Sequence, residues 1–313
     1  MCLGNIIIAK PNRAISLASK RRKNMNDYVI FVDSACDIDQ KTLADWGVEY
    51  CELTFMFNGE DKVYQNYEIG AKEFFDRMRN GVTAKTSAAN TEDFIAAFTP
   101  ILEAGKDILY LGFSSGLSAT YNCARMEAEE LNEKYPKTKV LTLDTLSASA
   151  GYGMLLYLTV KQKQNGADIM ASYNYAKGLV PNMCHWFTVD DLVYLKRGGR
   201  VSPTVAFVGG VLNIKPVLHM DIEGHLISRF KAHGRKKAIE ALADKYAELG
   251  KNISENDTVF ICHGDCIEDA KKLGAIIKER HGADIHYYAD IGPVIGAHSG
   301  PGTLAIFFVG KER

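Results

Sequence analysis

Four short stretches of the chain carry residues that can hold an anion or fix a reacting group. Ser114-Ser115-Gly116-Leu117-Ser118 is a run of small hydroxyl residues between an apolar segment and a helical one. Free backbone N–H groups and the positive end of a helix dipole favour phosphate or carboxylate there. Plain N-capping by a serine explains the same residues without a ligand. Lys85-Thr86-Ser87 offers two hydroxyls and a cation in an expected loop over 83–90; a solvated loop capped by Asn90 or Thr91 is its ligand-free alternative. His298 sits in Gly292-Pro293-Val294-Ile295-Gly296-Ala297-His298-Ser299-Gly300-Pro301-Gly302, among four glycines and two prolines. That setting predicts a rigid loop holding an imidazole where backbone can approach closely. Lys196-Arg197-Gly198-Gly199-Arg200-Val201-Ser202 places three cations within five positions. The glycine pair reads as a helix stop, and Arg200 suits a phosphate or an acidic partner.

Two rival chemistries can be weighed on the same residues. Gly112-Phe113-Ser114-Ser115-Gly116 fits G-x-S-x-G between a strand and a helix, the setting of a hydrolase nucleophile elbow. Asp265 or Asp290 and then His298 follow in a permissible chain order. No HGGG-type oxyanion segment precedes the serine, so the acyl hydrolase stands as the alternative. Cys262-His263-Gly264-Asp265-Cys266 lacks a second Cys/His couple, and a strand end entering a loop explains it better than a metal site.

These residues need a scaffold, and the hydrophobic pattern supplies one. Apolar runs over 28–32, 48–56, 107–113 and 139–143 read as strands, three of them ending in polar turns at Asp33-Ser34, Ser114-Ser115 and Asp144-Thr145. Helical periods follow over 40–46, near Phe74, Phe75 and Met78, after Asn90, over 119–131, and from 145 to about 161. This alternation predicts an α/β fold whose N-terminal domain, 27–165, is a doubly wound, mainly parallel sheet with its ligand at the C-terminal strand ends. The second half reads as an α+β domain over 166–313. It has strands over 186–189, 215–220, 225–230, 258–262, 283–288 and 303–309, a hairpin turn at Asp221-Ile222-Glu223-Gly224, and helices over 235–249 and 267–280.

Composition narrows the class. The chain has 313 residues, is 47% hydrophobic and 24% charged, and carries a formal net charge of −1. That length favours two domains, and the charge balance points to neither nucleic acid nor an anionic membrane. No apolar run is long enough to suggest an integral membrane segment. Seven scattered cysteines, an odd count, argue for a reducing compartment rather than a disulfide framework. Residues 1–26 place Ile6-Ile7-Ile8 before Lys20-Arg21-Arg22-Lys23, the reverse of a secretory signal. They read as a poorly ordered extension on a cytoplasmic protein.

Taken in order, the motifs resemble the DegV family of fatty-acid-binding proteins. Besides the four stretches above, the matching ones are Val32-Asp33-Ser34-Ala35-Cys36-Asp37, Leu143-Asp144-Thr145, Leu212-Asn213-Ile214-Lys215-Pro216-Val217-Leu218 and Gly234-Arg235-Lys236-Lys237-Ala238. The resemblance implies a lipid tunnel between the two domains and a carrier rather than an enzyme, with a long-chain fatty acid as ligand and no cofactor or metal. It implies that Thr86 and Ser115, with Ser114 beside it and His298 nearby, hold the carboxylate. It also implies a partner, a separate fatty acid kinase with a role in phospholipid metabolism, and at Arg200 a contact to that partner or to phosphate. Ala88-Ala89-Asn90 departs from the Gln-Pro-Ser common in the family at that point.

Overall fold

The computed structural model describes residues 27–201, 213–251, 253 and 258–313. The expected extension over 1–26, Ser202 of the cationic stretch and Leu212 of the family motif lie outside the described residues.

Strands β1 (Tyr28–Asp33), β2 (Val48–Cys51), β6 (Asp107–Gly112) and β7 (Val140–Asp144) form a parallel sheet in the order β2-β1-β6-β7. All six residues of β6 are buried, as expected of a strand covered on both faces. The chain leaves β1 towards β2 on one side and continues from β6 to β7 on the other. The crevice between the ends of β1 and β6 is therefore a topological switch point. Asp33, at the end of β1, is fully buried there. Its carboxylate accepts from the Phe113 N–H at 3.0 Å and the Tyr110 hydroxyl at 2.8 Å. Burial pushes this carboxyl up to about 6, and those donors restrain the rise. Those two donors share Oδ2, and Oδ1 accepts from the Ala35 N–H at 3.1 Å, so Asp33 ties neighbouring strand ends together with both oxygens engaged.

The second sheet is mixed and six-stranded, in the order β10-β9-β8-β13-β11-β12. Its strands are β8 (Met183–Thr188), β9 (Ile214–Met220), β10 (Leu226–His233), β11 (Val259–His263), β12 (Ile285–Asp290) and β13 (Leu304–Val309). Only β11 and β12 run parallel. Helices α8 (Arg235–Leu249) and α9 (Ile267–His281) pack against it. The expected hairpin through Asp221 to Gly224 joins β9 to β10.

Helix α5 (Ser149–Gln164) lies between the two halves and is buried on nearly every side, which its continuous apolar sequence requires. Two glycines let both halves come close. A Cβ on Gly151 would sit 2.3 Å from His185 Nε2 of β8, and one on Gly153 would sit 2.6 Å from Ile38 Cδ1. The expected division at Gly166 falls just after this helix. The next helix, α6 (Ile169–Leu179), still packs on β6 and β7.

Three local expectations are corrected. The strand expected over 48–56 is two strands, β2 and β3 (Thr54–Phe57), in different sheets. The chain bends between them, where the Leu53 N–H donates to Ser34 Oγ at 2.9 Å. The loop expected over 83–90 contains strand β5 (Ala84–Ser87), which pairs with β3 and, with β4 (Tyr64–Gln65), completes a three-stranded antiparallel sheet. The rigid loop expected around His298 is helix α10 (Pro293–Ser299), with proline in its first turn, where its missing N–H costs nothing.

Candidate functional site

A cavity of about 300 Å³ lies where the two halves meet. Its wall is mainly apolar and comes from both sides: Leu53 and Phe113 from the first half, Phe187, Met220, Leu226 and Phe307 from the second. Polar atoms are few. Thr86 from β5, Ser118 from the loop after β6, Arg200 and His298 also line it.

Thr86 and His298 meet directly, with Oγ1 and Nε2 2.8 Å apart, though 212 positions separate them in sequence. The register of β5 explains Thr86: it stands opposite Phe55 on β3 and is half-buried, while Lys85 before it is exposed and does not line the cavity. His298 lies in the last turn of α10. Its Nδ1 is buried without a hydrogen-bond partner among the described residues. That nitrogen faces Gly198, where a Cβ would lie only 2.1 Å away. Burial, followed by the charge of Arg200, holds the His298 imidazole down to about 4, so it is neutral at pH 7.

Arg200 supplies the charge. Its Nε and Nη2 donate to the Leu117 carbonyl at 3.2 and 3.0 Å, and Nη1 donates to the Gly198 carbonyl. No carboxylate pairs with it among the described residues. A half-buried guanidinium bonded only to carbonyls keeps its full positive charge in the cavity wall.

The Ser-Ser loop is placed differently. Ser114 is fully buried, and its hydroxyl donates to the Gly224 carbonyl at 2.9 Å, pinning the β9–β10 turn to this loop. In this arrangement the Ser114 hydroxyl proton, expected to serve a ligand, is engaged by that carbonyl. Ser115 is half-buried, its N–H donates to Asp144 Oδ1 at 3.3 Å, and it is not in the cavity wall. Ser118 lines the cavity instead, and its hydroxyl pairs with Thr120 Oγ1 at 2.9 Å. The nucleophile elbow is not assembled either. His298 bonds Thr86 rather than Ser114, and Asp265 is engaged by Arg79.

Ser149 and Cys262 also belong to the cavity wall, their side chains 3.3 Å apart. Ser149 does not stand out in the sequence, because it begins a long apolar helix, and Cys262 stands out only in the Cys-His-Gly-Asp-Cys stretch weighed for a metal, not as a partner of Ser149. Their spatial pairing across 113 positions leaves no local signal. No group of three or more His, Cys, Asp or Glu that could hold a metal ion occurs among the described residues. Among the same residues, no helix is long and apolar enough to cross a membrane.

Comparison with known proteins bears on this cavity. A family model described as "Uncharacterised protein, DegV family" matches residues 27–311. A DegV domain-containing protein of Clostridium perfringens is 39% identical over 292 residues, covering 92% of this chain and 99% of that protein. One from Streptococcus pyogenes is 33% identical over 288 residues, covering 91% and 99%. Among solved structures, a DegV lipid-binding protein from Thermotoga maritima aligns with a TM-score of 0.77 at 28% identity, over 92% of this chain and 99% of that one. A DegV family protein from Thermus thermophilus, described for its fatty acid binding, aligns with a TM-score of 0.79 at 27% identity, over 90% and 98%. With a family model spanning nearly all the described chain and relatives matched from end to end, this chain belongs to the DegV family.

Proposed function

We propose that the protein binds a long-chain fatty acid in the cavity between its two halves, with the carboxylate at Thr86, His298 and Arg200. The observation that carries this reading is a guanidinium without a carboxylate partner among the described residues, set beside a neutral His–Thr pair in a mainly apolar cavity. A carboxylate supplies the missing counter-charge, and an acyl chain fits the remaining wall. If His298 carries its proton on Nε2 and donates it to Thr86 Oγ1, the threonine hydroxyl is left free to donate to the carboxylate. Each buried methylene contributes about 0.8 kcal/mol, so the tail supplies affinity and the polar residues supply orientation. The fatty acid binding described for the Thermus relative supports the same ligand class. The family resemblance extends the reading to a carrier that presents its carboxylate to a separate fatty acid kinase. Ser115, which the resemblance places at the carboxylate, lies outside this cavity wall.

A ligand series tests it by equilibrium titration. Palmitate should bind, each methylene removed should weaken binding about fourfold, and the methyl ester of palmitate should bind at least tenfold more weakly than the acid. Affinity that ignores chain length, or an ester that binds as well as the acid, would contradict the reading.

A further inference from the structure

Helix α10 carries His298, yet it has little to hold it in place by itself. It spans seven residues, and Gly292, at its N-cap position, has no side chain to cap it. Pro293 lacks an N–H altogether. Two N–H groups at this end are taken up by side chains from the other half of the molecule. Gly292 N–H donates to Asp37 Oδ1 at 3.0 Å, and Val294 N–H donates to Asn66 Oδ1 at 2.9 Å. Asp37 and Asn66 are only 5% and 1% exposed. Both are braced in turn: the Asn66 amide donates to the Ser34 carbonyl at 3.2 Å, and Asp37 Oδ2 accepts from the Ser149 hydroxyl.

We propose that Asp37 and Asn66 are positioning residues for the headgroup site, capping α10 from the opposite half and thereby setting where His298 meets Thr86. This deepens the carrier reading above and rests on it. Val294 and His298 are four residues apart, one above the other on the same face and separated by about 6 Å along the axis. A displacement at the capped end therefore passes directly to the imidazole. Lateral movement is already blocked, because Gly296 lies flush against Phe75, where a Cβ would come within 2.8 Å of the ring. The caps fix the remaining freedom, the axial position and the fraying of the first turn.

Carboxyl-labelled [1-13C]palmitate bound to the full-length protein provides the test, read by NMR together with the ligand dissociation rate. In the wild type, the bound carboxyl should give one resonance distinct from free palmitate. Asn66→Ala and Asp37→Ala should still bind the tail, but with the carboxyl resonance shifted towards its free position and dissociation at least fivefold faster. Asp37→Asn keeps an acceptor for the Gly292 N–H and should behave as wild type. Because Asp37→Ala can compromise the fold, Asn66→Ala and the Asp37→Asn rescue decide the matter. A lowered unfolding midpoint in Asn66→Ala with an unmoved carboxyl resonance and unchanged dissociation overturns the positioning role and leaves the carrier reading intact. Absence of any bound carboxyl resonance in the wild type overturns the carrier reading, and this proposal with it.

Discussion

A neutral imidazole beside a guanidinium is an unusual pair to leave inside an apolar wall, and its titration reports what the wall is built to hold. His298 is kept near 4 by burial and by Arg200, below the ordinary value of 6.5. A base lowered in this way stabilises the fold above its unfolded value, and that contribution is lost as pH falls through about 4. A carboxylate bound at the site would oppose Arg200 and favour the imidazolium. The expected outcome is an apparent His298 pKa near 4 in ligand-free protein and a clear rise on adding palmitate, followed by imidazole NMR. A His298 that titrates near 6.5 in both states would contradict the account. At this scale, Thr86, Arg200 and His298 stood out in the sequence because unusual neighbours mark each of them: a hydroxyl pair, a glycine pair, a glycine- and proline-rich run. The use made of Ser114 did not, because its partner carbonyl at Gly224 lies 110 positions away.

Elements decide whether those residues meet. Strand β5 has no apolar alternation and reads as loop in the sequence; its pairing with β3, opposite Phe55, makes it a strand and turns Thr86 inward. Helix α10 reads as loop in the sequence because its glycines and prolines suggest one. Tertiary packing and the caps from Asp37 and Asn66 override that propensity. By contrast, the helices over Arg235–Leu249 and Ile267–His281 were legible nearly to the residue, since each carries its own amphipathic period. Asp37 gives this scale a pH signature. It links α10 to the start of α5, and burial raises its carboxyl to about 7, with the nearby Asp290 and Asp33 carboxylates adding to the rise. The folded state then holds a proton that the unfolded state has released, so the contribution is fully present below about 4 and lost as pH rises towards 7. Asp37→Asn removes this dependence. Relative to wild type, the variant should gain stability as pH rises from about 4 to 7, by at most roughly 1.4 kcal/mol per pH unit, and the difference should level off above that. Denaturant unfolding of both proteins across that range checks it. A constant difference between them would show that Asp37 does not bind its proton as described.

For the whole molecule, the sequence distinguished a parallel sheet from a mixed one because their strands differ in kind: short apolar runs between helices in the first half, hairpin-linked strands in the second. The cavity itself was not legible from the residues. Its wall interleaves Leu53, Phe113, Phe187, Met220, Leu226 and Phe307 from both halves, and each reads in sequence as an ordinary core residue. Close approach of the halves depends on α5, whose Gly151 and Gly153 admit His185 and Ile38. The central claim, that this shared cavity exists to hold a fatty acid, is tested most directly by native mass spectrometry of protein purified without added lipid, followed by identification of whatever the denatured protein releases. The account predicts a mass increment of one long-chain fatty acid per chain, displaced by excess palmitate. A wild-type protein that carries no acyl chain and shows no increment when palmitate is supplied would contradict it.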